Sequence, residues 1–187
     1  IAGTGCCSIP DSVDLTKAAL EVGAAGALML PPFYYKNASD EGLFAAFSEV
    51  IQRVGDEALK IYLYHFPALS GVPITLTLIE RLLAAYPDTV VGIKDSSGNF
   101  ENMKAMASSF PGFRVFAGSE RQLLDCLEIG GAGTISATVN VTSTQAAAVM
   151  TAWNASDAAA AKQHQQRLTT SREAIQAFPL VPALKAI

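Results

Sequence analysis

Lys94 has the most distinctive chemical setting in this sequence. It follows four apolar or small residues at 90–93 and is therefore predicted to emerge from the end of a buried strand. Burial disfavours the charged form of an amine, and the uncharged form is the one that attacks a ketone to form an imine. The position is equally compatible with a lysine that extends past the strand end into solvent.

Tyr64 ends the strand predicted before the one that carries Lys94. Side chains alternate along a strand, so Tyr62 and Tyr64 share one face and Ile61 and Leu63 share the other. The apolar pair suits packing against helices, which leaves Tyr64 on the interior face, where a phenol beside a lysine can relay protons. Taken alone, such a tyrosine is more often a packing residue with a satisfied hydroxyl.

Other reactive side chains give weaker signals. Tyr34 and Tyr35 lie in a proline-containing loop and predict a pocket wall or a subunit contact. His65 fits either of two roles, a catalytic base or a neutral histidine that is hydrogen-bonded in a turn. The three cysteines, Cys6, Cys7 and Cys126, fit reduced thiols better than a disulfide framework, and their spacing does not suggest a zinc site.

Short apolar segments alternate with segments of helical periodicity along the chain. Strands are predicted at 1–5, 27–30, 61–64, 90–93, 113–116 and 133–138, and helices at 12–22, 40–54, 75–86, 99–110, 120–129, 142–153 and 157–177. The first helix is predicted to bury Val13, Leu15, Ala18, Ala19 and Val22. Strict alternation gives parallel strands joined by right-handed crossovers, with the active site at their carboxyl ends.

The alternation predicts an α/β protein with about six strand–helix units. An open doubly wound sheet is the alternative, but Gly3-Thr4-Gly5 lacks the third glycine of a dinucleotide-binding turn. A (β/α)₈ TIM barrel needs two further units, and because the chain begins with Ile1 inside a strand, we expect them upstream. Residues 1–154 are then strands three to eight of an incomplete barrel, and 155–187 are the truncated start of a C-terminal helical extension.

Composition excludes several classes of function. The net charge is −4 and basic residues form no long run, so a nucleic-acid partner is not expected. The longest apolar stretch, 23–33, contains two prolines and is too short to span a bilayer. The start of the chain carries no secretory signal, and a cytoplasmic location is expected.

The residues around Tyr64 and Lys94 resemble the dihydrodipicolinate synthase / N-acetylneuraminate lyase family. The resemblance rests on 64–71 (YHFPALSG) and 92–98 (GIKDSSG), and it extends to 1–5, 31–42 and 181–186. It implies a TIM barrel with a C-terminal helical extension, usually a homotetramer, and a lyase or aldolase that uses neither metal nor cofactor. Pyruvate or another 2-keto acid would form a Schiff base with Lys94.

The resemblance also implies roles for individual residues. Tyr64 matches the proton relay, and Tyr34 matches a tyrosine that synthases insert into the neighbouring subunit's site. The Ile135 backbone carbonyl matches a pyruvate contact on the last strand. The family's Gly-Thr-Thr-Gly-Glu-like motif, which binds the pyruvate carboxylate, would lie upstream of Ile1.

Leu69 departs from the synthase pattern. It stands where synthases carry an arginine that binds the carboxylate of the aldehyde substrate, and a leucine cannot pair with a carboxylate. This favours a 2-keto-3-deoxy sugar acid or a sialic-acid-like substrate, with Ser119 or Arg121 as replacement polar contacts. The alternatives are a 4-hydroxy-tetrahydrodipicolinate synthase of lysine biosynthesis, a sensor with an inert Lys94, and a non-catalytic truncated fragment, since six strands leave unpaired edges.

Overall fold

The computed structural model describes residues 1–187, which form two compact units. The first unit comprises residues 1–97 and 109–114, and the second comprises 98–108 and 115–187. The predicted alternation of parallel strands and helices is confirmed in both. The domain boundary predicted at residue 154 stays a prediction. No helix combines the length and the apolar character needed to cross a membrane.

Four parallel strands and four helices build the first unit. The strands are β1 (Ala2–Gly3), β2 (Ala27–Met29), β3 (Ile61–His65) and β4 (Val90–Asp95), and the helices are α1 (Ile9–Glu21), α2 (Asp40–Val54), α3 (Pro67–Ser70) and α4 (Leu76–Ala85). Each strand pairs in parallel with the next one along the chain. The register between β3 and β4 shifts by one residue after Ile61, and it then places Tyr64 opposite Lys94.

Helices dominate the second unit. The remaining elements of the chain, most of whose residues belong to the second unit, are α5 (Phe100–Ser109), β5 (Arg114–Ala117), a 3₁₀ turn (Glu120–Gln122), α6 (Leu123–Glu128), β6 (Gly133–Thr134), α7 (Val139–Asn154), α8 (Ala158–Gln176) and α9 (Leu180–Ala186). β5 and β6 pair in parallel. Leu123, Val149 and Leu168 are fully buried in the core that α6, α7 and α8 share.

The buried face of α1 differs from the prediction. Leu15 is 47% exposed and Val22 is 84% exposed, whereas Ser12 and Thr16 are buried. These two hydroxyls face inward because they have partners: Ser12 Oγ accepts a hydrogen bond from the backbone of Cys6, and Thr16 Oγ1 donates to Thr4 Oγ1. Ala18 is exposed as well, so only Val13 and Ala19 of the five predicted residues lie in the core.

Among the other elements, β6 is much shorter than predicted, and two short helices were not predicted. β6 ends at Thr134 instead of residue 138, because Ser136 and Thr138 turn their hydroxyls toward Glu120. The four-residue helix α3 was not predicted; it begins at a proline and ends at Gly71, whose φ of 66° is a conformation that glycine adopts without strain. The short C-terminal helix α9 was also not predicted.

Gly92 lets two backbone segments and a tyrosine ring approach closely. A Cβ atom at this position would lie 2.5 Å from the carbonyl oxygen of Arg114 and 2.8 Å from Cδ1 of Tyr62. The buried Tyr62 ring is also held through its hydroxyl, which accepts a hydrogen bond of 3.1 Å from Nη1 of Arg114. The strand that carries Lys94 therefore has no room for a side chain at residue 92.

His65, the last residue of β3, is buried and hydrogen-bonded. Its Nδ1 atom accepts a bond of 3.0 Å from the backbone N–H of Ile74, which requires an unprotonated Nδ1. Burial lowers the pKa of His65, while the nearby Asp95 carboxylate raises it by a smaller amount. The neutral, hydrogen-bonded histidine is thus the interpretation that the structure favours over a base.

We expect Gly92→Ala to destabilise the protein. The new methyl group meets backbone and ring atoms that cannot move aside cheaply, so the free energy of unfolding should fall by about 1–3 kcal/mol. The measurement is the midpoint of urea denaturation. Gly3→Ala in β1 is the matched control, because no atom lies within 4 Å of its Cβ position and its stability should be unchanged. Equal midpoints for the two variants would contradict the packing argument.

We expect His65 to make the fold sensitive to mild acid. Because its folded-state pKa lies below the ordinary value, the unfolded chain binds more protons, and stability falls as the pH decreases below about 6.5. In His65→Asn the Oδ1 atom can replace Nδ1 as acceptor, so urea midpoints should fall less between neutral and mildly acidic pH than in the wild type. His65→Ala, which also loses the acceptor, should be less stable at every pH. An Asn variant as acid-sensitive as the wild type would overturn this assignment.

Candidate active site

Lys94 and Tyr64 lie in contact at the carboxyl ends of β4 and β3. Nζ of Lys94 donates a hydrogen bond of 3.0 Å to Oη of Tyr64 and lies 4.2 Å from the centre of its ring. Lys94 is only 9% exposed, so its amine does not extend into solvent. An amine and a phenol at this distance can exchange a proton directly.

Backbone hydrogen bonds between β3 and β4 fix both strand ends, before and after the residues that make this contact. Tyr64 and Lys94 are opposite each other in the β3–β4 ladder, and beyond it Ser96 N donates to the carbonyl oxygen of His65 at 2.8 Å. The Tyr64 ring stacks on that of Phe66, with 5.7 Å between their centres. The two functional groups are therefore positioned by regular structure and not by a free loop.

Tyr34 lies on an exposed loop of the same unit. Its side chain is 72% exposed, and its ring packs edge-on against that of Tyr35 at 5.2 Å. Lys36 fastens this loop by donating to the carbonyl oxygens of Phe33 and Ser70, so the loop is tied to the end of α3. A pair of outward-facing aromatic rings on a fastened loop fits the predicted subunit contact, which stays a prediction.

Leu69 lies on α3, directly after the strand that ends with Tyr64 and His65. Its backbone is fixed by a hydrogen bond from its N–H to the carbonyl oxygen of Phe66, and its side chain is 74% exposed. Nothing in this side chain can bind a carboxylate. The structure thus leaves the predicted role of Leu69 in substrate choice open to test.

Ser119 and Ile135 follow β5 and β6 in the second unit. The Ile135 N–H donates to the carbonyl oxygen of Ala117 at 3.0 Å, and Oγ of Ser119 accepts from the backbone of Arg121 at 3.4 Å. The Arg121 side chain is exposed and pairs with Glu173 at 3.3 Å. Both predicted binding residues are therefore held at strand ends, while Arg121 belongs to a surface ion pair.

A buried charged pair in the second unit was missed by sequence reasoning. Glu120 is 0% exposed and accepts hydrogen bonds from Ser136 and Thr138, and its Oε2 lies 3.3 Å from Nη1 of Arg172. A carboxylate three residues after the end of β5 was a visible signal for Glu120. The polar helix α8 gave no corresponding signal for Arg172.

Comparison with known proteins gives one consistent result. The model of the dihydrodipicolinate synthetase family matches residues 1–187. A protein of Chloroflexus aurantiacus named "uncharacterized DapA-like lyase" is 39% identical over 187 residues, which are 100% of this chain and 61% of that protein. The 4-hydroxy-tetrahydrodipicolinate synthase of Methanococcoides burtonii is 34% identical over 165 residues, covering 87% of this chain and 55% of the synthase.

Comparison with solved structures finds proteins of the same family. YagE, an E. coli K12 prophage protein of the dihydrodipicolinic acid synthase family solved in complex with pyruvate, superposes with a TM-score of 0.88 at 29% identity, covering 98% of this chain and 61% of YagE. The 4-hydroxy-tetrahydrodipicolinate synthase of Methylacidiphilum fumariolicum gives a TM-score of 0.85 at 28% identity, with 95% and 58% covered.

The chain spans about 61% of the length of the first of these relatives and less of the second. Together with the alternating parallel strands and helices, the structural likenesses confirm the predicted α/β fold class, that of an incomplete TIM barrel. The family match covers every residue from 1 to 187, including the segments that carry Tyr64 and Lys94. On this evidence the chain belongs to the dihydrodipicolinate synthetase family.

Proposed function

We propose that the protein is a lyase that handles pyruvate or a related 2-keto acid through a Schiff base on Lys94. The observation that carries the proposal is the buried Lys94 amine 3.0 Å from the Tyr64 phenol. Family relatives named as lyases or synthases, and the pyruvate complex of YagE, support it. Lys94 supplies the nucleophile for the covalent step, and Tyr64 supplies a group that can donate and accept a proton beside it.

The chemistry would run in balanced steps. The uncharged amine of Lys94 adds to the keto carbon, and the resulting carbinolamine loses water to form an imine. The imine then draws electrons from C3, so that either a proton leaves C3 or the C3–C4 bond breaks, in which case C4 loses its hydroxyl proton and leaves as an aldehyde. The enamine formed adds to an aldehyde or takes up a proton, which restores an imine, and water then hydrolyses this imine to release the 2-keto acid and the free amine of Lys94. Tyr64 would carry protons to and from the carbinolamine oxygen and the substrate.

Leu69 supports an uncharged aldehyde as the compound to which the enamine adds, that is, as the acceptor of this reaction. Its position follows the strand of Tyr64, and its hydrocarbon side chain gives a carboxylated aldehyde no partner. We therefore propose a 2-keto-3-deoxy sugar acid or a sialic-acid-like compound as substrate. The second candidate, a 4-hydroxy-tetrahydrodipicolinate synthase, is favoured by the names of several relatives that are 32–37% identical.

The exposed Tyr34–Tyr35 pair supports assembly into a homo-oligomer. Exposed aromatic residues on a fastened loop are common at subunit contacts, where a large ring buries much area at low cost in conformational entropy. In such an assembly Tyr34 would reach the site of a neighbouring subunit.

Borohydride trapping tests the Schiff base. With the protein in its full natural length, pyruvate and borohydride should attach reduced pyruvate to Lys94, located by peptide mass spectrometry. Lys94→Arg should give no adduct, while Lys104→Arg, on the exposed face of α5, should behave as the wild type. Tyr64→Phe should slow trapping by about a hundredfold, because the proton relay is lost.

Tyr62→Phe is the control for the phenol, since it removes a hydroxyl two residues earlier on β3 and should change the trapping rate little. An adduct that persists in Lys94→Arg would contradict the assignment of Lys94 as the Schiff-base residue. If the wild type forms no adduct, the lyase proposal fails and a non-catalytic role or an inert sensor takes its place.

Substrate choice is tested at Leu69. The wild type, given pyruvate and a panel of aldehydes, should show a higher kcat/KM with neutral polyhydroxy aldehydes than with aspartate semialdehyde. Leu69→Arg should raise kcat/KM for the carboxylated aldehyde by about tenfold or more, because a charge-assisted hydrogen bond becomes available. Leu69→Met is the matched control and should leave the preference unchanged. A wild type that prefers aspartate semialdehyde would support the synthase instead.

A further inference from the structure

A cleft of about 620 Å³ lies at the amino ends of strands in the first unit. It is lined by Lys60, directly before β3, by Val90, the first residue of β4, and by Arg114, the first residue of β5. Lys94 lies near the carboxyl end of β4, so the cleft and the candidate active site are at opposite ends of that strand. The proposed lyase function uses no side chain of this cleft.

The ring of Tyr62 is built into this cleft between two glycines. A Cβ atom at Gly26 would lie 2.9 Å from Cε2 of the ring, and one at Gly92 would lie 2.8 Å from Cδ1, the atom diagonally opposite. The glycines therefore leave just enough space for the ring, which is only 6% exposed. Because the Tyr62 hydroxyl accepts a hydrogen bond of 3.1 Å from Nη1 of Arg114, the buried ring also holds the guanidinium in place.

Two cationic side chains of the cleft keep N–H donors that the protein does not use. A guanidinium has five N–H donors, and the Tyr62 hydroxyl accepts from one nitrogen of Arg114. Nζ of Lys60 donates to the carbonyl oxygen of Asp88 at 2.6 Å, which leaves two of its three donors. Neither cation takes part in an ion pair.

The charge of this cleft contrasts with that of the whole chain. The net charge of the protein is −4, yet no Asp or Glu is among the residues that line the cleft. Two like charges that line one cleft repel each other, and an anion bound between them removes this repulsion. The electrostatics of Lys60 and Arg114 therefore favour a negatively charged ligand.

The other walls of the cleft are largely apolar. Phe110 and Phe113 pack edge to face, with 6.1 Å between their ring centres, and Leu83, Pro87 and Pro111 continue this surface. Clefts of about 300–1,000 Å³ with apolar walls and a few placed polar groups are typical of small-molecule sites. The apolar walls also exclude water, which strengthens the attraction between an anion and the two cations.

We propose that this cleft binds a small organic anion. Its carboxylate or phosphate group lies between Lys60 and Arg114, and its apolar body packs against Phe110 and Phe113. The planar guanidinium matches either acid group with two parallel hydrogen bonds, and the ammonium adds a second positive charge. This inference does not depend on the proposed lyase function.

Calorimetric titration of the protein in its full natural length tests the ligand class. The probes are naphthalene-2-carboxylate, 2-naphthyl phosphate, the neutral naphthalene-2-carboxamide and inorganic phosphate. At least one naphthyl anion should bind about tenfold more tightly than the carboxamide, which lacks the charge, and than inorganic phosphate, which lacks the apolar body. The tighter of the two anions identifies the preferred acid group. No binding of either anion, or equal binding of the carboxamide or of inorganic phosphate, would overturn the proposal.

Variants locate the bound probe. Lys60→Met and Arg114→Met should each weaken the tighter naphthyl anion by about tenfold, the equivalent of losing a charge-assisted hydrogen bond. Lys17→Met, on the exposed face of α1, removes the same charge and should leave the affinity unchanged. Lys94→Met should also leave it unchanged, and a loss of binding there would place the probe at the other end of β4 and reject the cleft. If urea denaturation shows that Arg114→Met does not fold, Lys60→Met decides, and wild-type affinity in that variant counts against the proposal.

Discussion

The register between β3 and β4 is the constraint on which the proposed chemistry depends. Ile61 pairs with Val90, but Tyr62 pairs with Gly92, so β4 contains one extra residue at this point. Without that shift Tyr64 would lie opposite Ile93, and the amine at residue 94 would point to the other face of the sheet. The 3.0 Å contact between Nζ and the phenol exists because the extra residue, three positions before Lys94 in β4, changes the face on which the lysine side chain lies.

The same irregularity explains the glycine in the Gly-Ile-Lys sequence. After the shift, residue 92 lies opposite Tyr62 and against the backbone of Arg114, where a Cβ atom would overlap both. Glycine is needed at residue 92 because neighbouring atoms lie too close for a side chain, and not because the backbone angles require it. The glycine that permits the packing and the lysine proposed for the chemistry belong to one structural unit, which makes their spacing specific.

Apolar periodicity predicted most strands and helices. α2 has the predicted bounds because Ser39 caps its start and Gly55, in a left-handed conformation, ends it. Three of the differences share one cause, which is buried polar groups that satisfy each other: the buried face of α1, the shortened β6 and the Glu120–Arg172 pair. Such pairs bring together residues far apart in sequence and leave no periodic signal, so only the fold reveals them.

The residues proposed for the chemistry and those proposed for substrate choice lie in different kinds of structure. Lys94 and Tyr64 are fixed by a strand ladder, whereas Leu69 and Tyr34 lie on exposed segments that a relative can alter without disturbing that ladder. Strand ends can keep one covalent step while loops change its partner, so members of one family can share that step and differ in the acceptor. The proposal for the acceptor therefore rests on the hydrocarbon side chain at residue 69, while relatives named as synthases, at 32–37% identity, support the alternative.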